Sequence, residues 1–287
     1  MDSQRLPSSP RTSVIMTTYR SPHYLRQVLK GFARQTHREF QVVVGEDGQT
    51  DETREVIDAF AQETAASGIS IRYVWQPHQG FGKTRILNRA IDAATGDYLI
   101  FTDGDCVPRH DFVAAHLRLA LPGRFLSGGT FRLPRDVTNQ ILADTVAADE
   151  FTRASWLQQH NVQVPAKWIW TERKPSLARL FDLATTTRPT FNGHNASAWR
   201  QDVIEANGFN HQMRYGGLDR ELGERLENAG IAGVQIRHRA ICFHLDHDRG
   251  YVTDEDWQRN RAIRQQVRRQ GITRAEQGLD EIRSMAG

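Results

Sequence analysis

Cysteine is nearly missing from this chain: Cys106 and Cys242 are the only two in 287 residues, and neither sits in a CxxC or Cys/His finger spacing. That scarcity excludes a disulfide framework and argues against a structural zinc site. It fits a reducing compartment, with each thiol reading as a small buried apolar group. Long hydrophobic runs are missing too. Nowhere do about 18 apolar residues follow one another, so no membrane-spanning helix is expected. The opening MDSQRLPSSPRT is polar and proline-broken, without the apolar core of a secretory leader, and the expectation is a cytoplasmic protein. Blocks of one charge are lacking as well. Lys plus Arg number 37 against 34 Asp plus Glu, a net charge of +3 spread along the chain, which gives no footprint for nucleic acid. There is no internal repeat. What is present, 39% hydrophobic residues, suffices for one large α/β domain or two small ones.

The first half alternates. The β-rich TSVIMTTY (12–19) precedes SPHYLRQVLKGFARQT, which carries Leu25, Val28, Leu29 and Phe32 at helical spacing behind a Ser21-Pro22 start. FQVVVGEDG then precedes TREVIDAFAQETAAS, ISIRYVW precedes GKTRILNRAIDAAT, and DYLIFTDGD closes the series. Four strands alternating with three helices predict a parallel sheet with crossover helices. Ligands of such sheets bind beyond the carboxyl ends of the strands. The residues to watch are therefore Thr17 to Tyr19, Glu46 to Gly48, Gln76 to Gly82, and Asp103 to Asp105.

Asp103 and Asp105 flank Gly104 at the end of the fourth apolar run. Two carboxylates so placed suit a hard divalent cation whose other positions are filled by phosphate oxygens. The plainer alternative, capping of the next helix or solvation of a loop, fits an isolated DxD better than one at this position. HQGFGKT resembles a phosphate loop, but Pro77 stands where the first glycine is required, and an NTPase of that type is rejected. Lys83 and Arg85 still open a helix just past a strand, where a cation can meet phosphate. Solvated helix charges are the competing reading.

From about 134 to 190 the pattern weakens. RDVTNQILADTVAADEFTRASWLQQH reads as helical and VPAKWIWTERKPS as irregular and aromatic. Polar and glycine residues return around a helix in TFNGHNASAWRQDVIEANGF and YGGLDRELGERLENAG, followed by the β-like GVQIRHRAICFHLDH. DEDWQRNRAIRQQVRRQG is a helix with arginine on much of its circumference. The pattern divides the chain into a tail (1–11), an alternating strand–helix half (12–133), a variable insertion (134–190), a second half rich in polar and glycine residues (191–250) and a C-terminal helical extension (251–287).

Together SVIMTTYRSPHYLRQVL, VVVGEDGQTDET, HQGFGKTRILNRAIDAATGDYLIFTDGDCVPRHDF and RFLSGG resemble family 2 glycosyltransferases of GT-A fold. Within that family they look most like the catalytic modules of bacterial chondroitin-type polymerases. FNGHNASAWRQDVIEANGFN, GGLDRELGERLENAGI and CFHLDH resemble their galactosyltransferase-type C-terminal subregion. The resemblance covers roughly 12–130 and 190–250, which makes 12–133 the expected nucleotide-sugar-binding half and 191–250 the expected acceptor-binding and catalytic half. It implies a Rossmann-like nucleotide-binding sheet flanked by helices, with Thr17 and Tyr19 lining the nucleotide and Asp47 reaching the uracil or ribose. Lys83, Arg85, Asn88 and Gly104 would border the same pocket. Asp103 and Asp105 would hold Mn²⁺ or Mg²⁺ on a UDP-sugar, and His244 would complete the metal shell, with His247 a weaker second candidate. An imidazole beside carboxylates favours manganese. A lone histidine after an apolar run is otherwise a structural residue.

Asp219 in GGLDREL matches the aspartate of the family's ED pair, which implies the general base. Leu218 replaces the usual glutamate, a departure that bears on acceptor recognition, and spacing alone would make Asp219 a helix N-cap. Asn192, His194, Asn195, Trp199 and Gly217 would meet the acceptor and donor sugar, Trp199 by stacking unless it is core. The implied enzyme is an inverting hexosyltransferase acting on a glycan acceptor in capsule, lipopolysaccharide or exopolysaccharide synthesis. A sugar nucleotidyltransferase and a non-catalytic UDP-sugar-binding module are the alternatives. The arginine-rich helix (257–269) could touch the inner face of the plasma membrane and suit a lipid-linked acceptor; a solvated or dimerising helix is the competing reading.

Overall fold

The computed structural model describes residues 10–248 and 253–284. Residues 1–9 of the tail read from the sequence, with 249–252 and 285–287, lie outside the described residues. Strands β1 (Thr12–Thr18), β2 (Phe40–Asp47), β3 (Ile69–Gln76) and β4 (Tyr98–Asp103) alternate with helices α1 (Pro22–Ala33), α2 (Asp51–Thr64) and α3 (Lys83–Ala93). β1 is buried at every position, the continuous apolar run of a strand covered on both faces. It pairs in parallel with β2 and β4, and β2 with β3. Pro22 starts α1 without losing a needed hydrogen bond, and Thr50 caps α2 by accepting from the Thr53 amide at 3.3 Å. Leu25, Val28, Leu29 and Phe32 of α1 are buried against the sheet. Truncating fully buried Phe32 to alanine should cost about 3–5 kcal/mol.

Beyond β4 the direction reverses. After β5 (Cys106–Pro108), α4 (Phe112–Leu119), β6 (Arg124–Ser127) and β7 (Gly129–Arg132), the chain runs through five helices: α5 (Arg135–Leu142), α6 (Ala148–Phe151), α7 (Ala154–Gln159), α8 (Ala166–Arg173) and α9 (Ser176–Ala184). The stretch read as irregular is therefore helical over α8. Proline at its N-cap presets the turn, and Trp168 and Thr171 fall on one buried face. Then come β8 (Ala196–Trp199), α10 (Arg200–Glu205), α11 (Leu218–Asn228), β9 (Ala232–Gln235), β10 (Ile241–His244), α12 (Asp254–Gln270) and α13 (Leu279–Ser284).

The main sheet has the order β3-β2-β1-β4-β8-β6-β9, with β8 antiparallel to β4 and β6. A second sheet, β5-β10-β7, pairs His244 with Cys106 on one side and with Arg132 on the other. This small sheet brings the C-terminal histidine beside the end of β4. The result is a mixed α/β sheet flanked by helices, the architecture that the resemblance to GT-A enzymes implied.

Candidate active site

The carboxyl ends of β1, β2 and β4 open into a cavity of about 840 Å³. Gly104 explains the spacing of the two acids at the end of β4. Its amide donates to the Thr17 carbonyl at 3.1 Å, and a Cβ there would stand only 2.8 Å from that oxygen. Only glycine lets the chain turn so close to β1, which leaves Asp103 and Asp105 on the cavity wall.

Lys83, at the start of α3, donates to Asp103 Oδ1 at 2.8 Å. Burial alone would lower its pKa; Asp103, Asp105 and Asp219 outweigh that and raise it, so the ammonium stays charged. Asp105 accepts from His247 Nε2 at 2.9 Å, and His244 Nε2 lies 3.9 Å away. Burial would raise the Asp105 carboxyl, but the His247 hydrogen bond, the two imidazoles and Lys83 push it down to about 2. His247, the weaker candidate on sequence grounds, is thus the nearer imidazole, because the chain leaving β10 folds back with the Leu245 amide on the Asp105 carbonyl at 2.9 Å.

Donor atoms of Asp105, Cys106 and His244 lie within 4.8 Å of one another. The buried Cys106 thiol is pushed well up in pKa by burial and by its hydrogen bond to Cys242, so it remains protonated and is no ligand for a hard cation. The carboxylates and imidazoles do fit Mn²⁺ or Mg²⁺. Overall charge agrees. Six aspartates line the cavity against one lysine and two arginines, and an anionic diphosphate would meet net repulsion unless a cation entered with it.

Of the nucleotide-side candidates, Thr17, Tyr19, Asp47, Lys83, Asp103 and Gly104 line the cavity. The Asp47 carboxylate already accepts from the Gly82 amide at 3.1 Å and Gln76 Nε2 at 3.0 Å, with His78 Nδ1 at 3.4 Å. His78 stacks on Tyr19 with ring centroids 4.6 Å apart. Two candidates do not reach the cavity. Arg85 turns to Glu281 of α13 at 3.7 Å, because two residues on from Lys83 it lies about 200° round α3, on the opposite side. Asn88 is fully buried, exchanging hydrogen bonds of 2.8 Å with both backbone groups of Phe209. It ties α3 to the C-terminal half.

On the acceptor side, Asn192, His194, Gly217 and Asp219 line the cavity. Gly217, at φ +83°, is the N-cap of α11. Asp219 does not cap its own helix: its Oδ2 accepts the Gly193 amide at 2.8 Å, which binds the 192–194 loop to the start of α11. Asn195 and Trp199 lie elsewhere. Asn195, fully buried, donates to the carbonyls of Gly129 at 2.8 Å and Ala240 at 3.1 Å and faces His116. Trp199 packs edge-on against Tyr98 in the sheet, the core role that competed with stacking.

Sequence reasoning missed Tyr24, His78, Arg132, Tyr215, Arg220, Asp256 and Trp257, all on the cavity wall. His78 lies in a flagged strand-end stretch and was within reach. Trp257 carried no local signal. It reaches the cavity because buried Asn260, one turn on, donates to the carbonyls of Arg214, Tyr215 and Gly216 at 2.8–2.9 Å and holds α12 over that loop. Gly216, at φ +99°, presses its backbone on the indole: a Cβ there would meet three ring atoms at 2.9–3.0 Å. Three such equal approaches mean that the glycine covers one face of the ring, while Trp257 remains 41% exposed.

The model of "Glycosyl transferase family 2" matches residues 13–181, running through the middle segment. Validoxylamine A glucosyltransferase of Streptomyces hygroscopicus subsp. jinggangensis is 28% identical over 254 residues, 84% of this chain and 56% of the relative. The chain thus spans about half the length of that relative. Among solved structures, the mannosyltransferase PcManGT from Pyrobaculum calidifontis, in complex with GDP-Man and Mn²⁺, is similar at TM-score 0.57 and 22% identity over 85% of this chain and 59% of its own. S. aureus TarS 1-349 in complex with UDP is similar at TM-score 0.57 and 15% identity over 94% of this chain and 68% of its own.

Proposed function

The chain belongs to glycosyl transferase family 2, and from that premise we propose an inverting, metal-dependent transferase that moves a hexose or hexosamine from a UDP-sugar to a glycan acceptor. The observation that carries the reading is that Asp103, Asp105, Lys83 and Asp219 face one cavity at the strand ends. Asp105, His244 and His247, with Asp103, would hold Mn²⁺ or Mg²⁺, manganese being favoured by the imidazoles. When bound, the cation supplies charge neutralisation for the departing diphosphate.

The chain's own residues do the rest. Lys83 places a fixed positive charge beside Asp103, where the diphosphate would lie against the start of α3. Tyr19 and His78 offer a stacked aromatic wall for the nucleobase. Asp219 Oδ2 is occupied by the Gly193 amide, and Oδ1 takes no hydrogen bond among the described residues. That oxygen is left to receive the proton of the attacking acceptor hydroxyl, opposite the leaving group. Trp257, backed by Gly216, presents an indole face on which an acceptor pyranose can stack. The likeness to chondroitin-type polymerases rests on the sequence motifs. With it goes the role in assembling an envelope glycan, at the cytoplasmic side of the membrane.

The α12 arginines are less available for membrane contact than their number suggested. Arg264 reaches Glu224 at 2.6 Å and Arg268 shares the same carboxylate. Purified protein given UDP-sugars and Mn²⁺ should release UDP, and Asp105→Ala should lower that rate roughly 10³-fold, several kcal/mol of lost charge stabilisation. Release of pyrophosphate would instead identify a nucleotidyltransferase, and near-normal turnover by Asp105→Ala would overturn the metal site. Binding of UDP-sugar without turnover under any acceptor would leave a binding module.

A further inference from the structure

We propose that the outer face of α8 and α9 docks on an anionic lipid surface. Seven large apolar side chains are markedly exposed among the described residues, and three of them, Trp170 (53%), Leu180 (58%) and Leu183 (75%), fall within this one short stretch. Trp170 stacks on Phe181 at 6.1 Å, and the Lys167 ammonium lies 5.8 Å over the same ring. The ridge is thus ordered by its own aromatic contacts while its apolar tips face outward.

The charges around it are mostly positive. Lys167, Arg173, Lys174 and Arg179 are exposed, and none makes an ion pair among the described residues. The two acids of the same helices are directed elsewhere. Asp182 is buried on Arg239 at 2.6 Å, and Glu172 accepts the Ala154 amide at 3.1 Å. Some exposed arginines elsewhere do pair, Arg135 with Asp246 and Arg188 with Glu227, each at 2.6 Å, while others, such as Arg26 and Arg72, make no ion pair among the described residues. What marks this face is the coincidence of its cations with the exposed apolar tips. An outer face of tryptophan and leucine, set among four exposed cations against one exposed carboxylate, Glu172, complements the interfacial zone of a bilayer, where apolar tips enter the acyl boundary and cations meet acidic headgroups. A nucleic acid would use the cations and gain nothing from Leu180 and Leu183.

The inner face adds a reason for the location. Buried Trp168 of α8 packs on Phe131 and Phe243, the residues immediately before Arg132 and His244 of the cavity wall. The docking helices therefore pack on the strands that carry Arg132 and His244 to the cavity wall. No helix among the described residues is long and apolar enough to cross a membrane; the contact proposed is a peripheral one.

The test uses the full chain and large unilamellar vesicles of phosphatidylcholine, with or without 30% phosphatidylglycerol, at about 0.15 M salt, where charges on the surface still act over roughly 8 Å. The expected result is a partition coefficient at least roughly tenfold higher with phosphatidylglycerol. The double variant Leu180→Glu/Leu183→Glu should lose binding to both vesicles with its melting temperature unchanged. Lys174→Glu/Arg179→Glu should lose only the dependence on phosphatidylglycerol, and Arg261→Glu on α12 should bind as wild type. Equal sedimentation with both vesicles, wild-type binding by the leucine variant, or loss of binding by Arg261→Glu would each overturn the proposal.

Discussion

The parallel half of the molecule, β1 to β4, and the half from β8 to α12 build one cavity by opposite means. In the first, apolar strands carry polar groups at their ends, and those groups are the site itself: Thr17, Asp47, Asp103, Asp105. In the second, the wall is made of loops and helix starts held from behind by buried polar clamps. Asn195 joins the two sheets, Asn260 holds the 214–216 loop, and the Glu221–Arg225 pair, fully buried, fixes α11 below Asp219. A polar residue at a strand end of the first half is thus a good guide to function, although within its helices, as at Asn88, it can be scaffold. In the second, it is as often the scaffold. Substitutions should therefore separate activity from stability in the first half and confound them in the second.

Asp219→Asn tests that contrast where it is sharpest. The amide can still accept the Gly193 N–H, so the loop is retained while the base is lost. Transfer should fall by roughly 10²–10⁴-fold with a melting temperature close to wild type, whereas Asp219→Ala should lose both. Near-normal transfer by the asparagine variant, measured by UDP release with acceptor, would remove the base assignment.

Arg225→Met probes the scaffold alone. Arg225 donates to Glu221 at 2.8 Å and to the carbonyls of Gly208 and Ala206. Without it Glu221 is a buried charge with only Asn210 as partner, and stability should drop by about 3–5 kcal/mol. Chemical denaturation measures this. A loss within experimental error of zero would mean that the acceptor half does not depend on its clamps.

How far the sequence could be read follows the same division. The alternation of β1 to β4 with α1 to α3 was legible because strand period, helix period and start signals agreed. The position of Asp103 and Asp105 followed from strand ends alone. Asn88, Asn195 and Trp199 were misplaced for one physical reason: hydrogen bonding to distant backbone and edge packing on Tyr98 are tertiary facts with no local pattern. Trp257 was invisible on the same grounds, since Asn260 brings it to the cavity from α12. The α8 helix was hidden by its low amphipathicity, its apolar tips being exposed on the outside.

His116 extends the comparison to pH. Burial pushes its imidazole down to about 4. It is held neutral: Asn195 has spent its amide on two carbonyls, so its Oδ1 must accept from Nε2, while Nδ1 faces the Ser197 hydroxyl at 2.7 Å. Protonation therefore favours the unfolded chain. Stability from this group is complete above about pH 6.5 and is lost as pH falls towards 4, by about 3 kcal/mol in all. Below pH 4 it is flat. Denaturation of wild type and His116→Gln across this range should show the slope reduced in the variant, and an identical slope would refute the assignment.

The smallest effect should come from Trp257→Ala. The indole rests on Gly216 and lines the cavity while 41% exposed, so the substitution removes a contact surface without opening the core. Acceptor KM should rise roughly tenfold, about 1.4 kcal/mol, with donor hydrolysis in the absence of acceptor unchanged. Trp257→Phe should recover most of the loss, because a flat ring remains. If donor hydrolysis fell in step with transfer, the residue would belong to the scaffold after all, and the division between a strand-end donor half and a clamped acceptor half would need the α12 contact counted with the clamps.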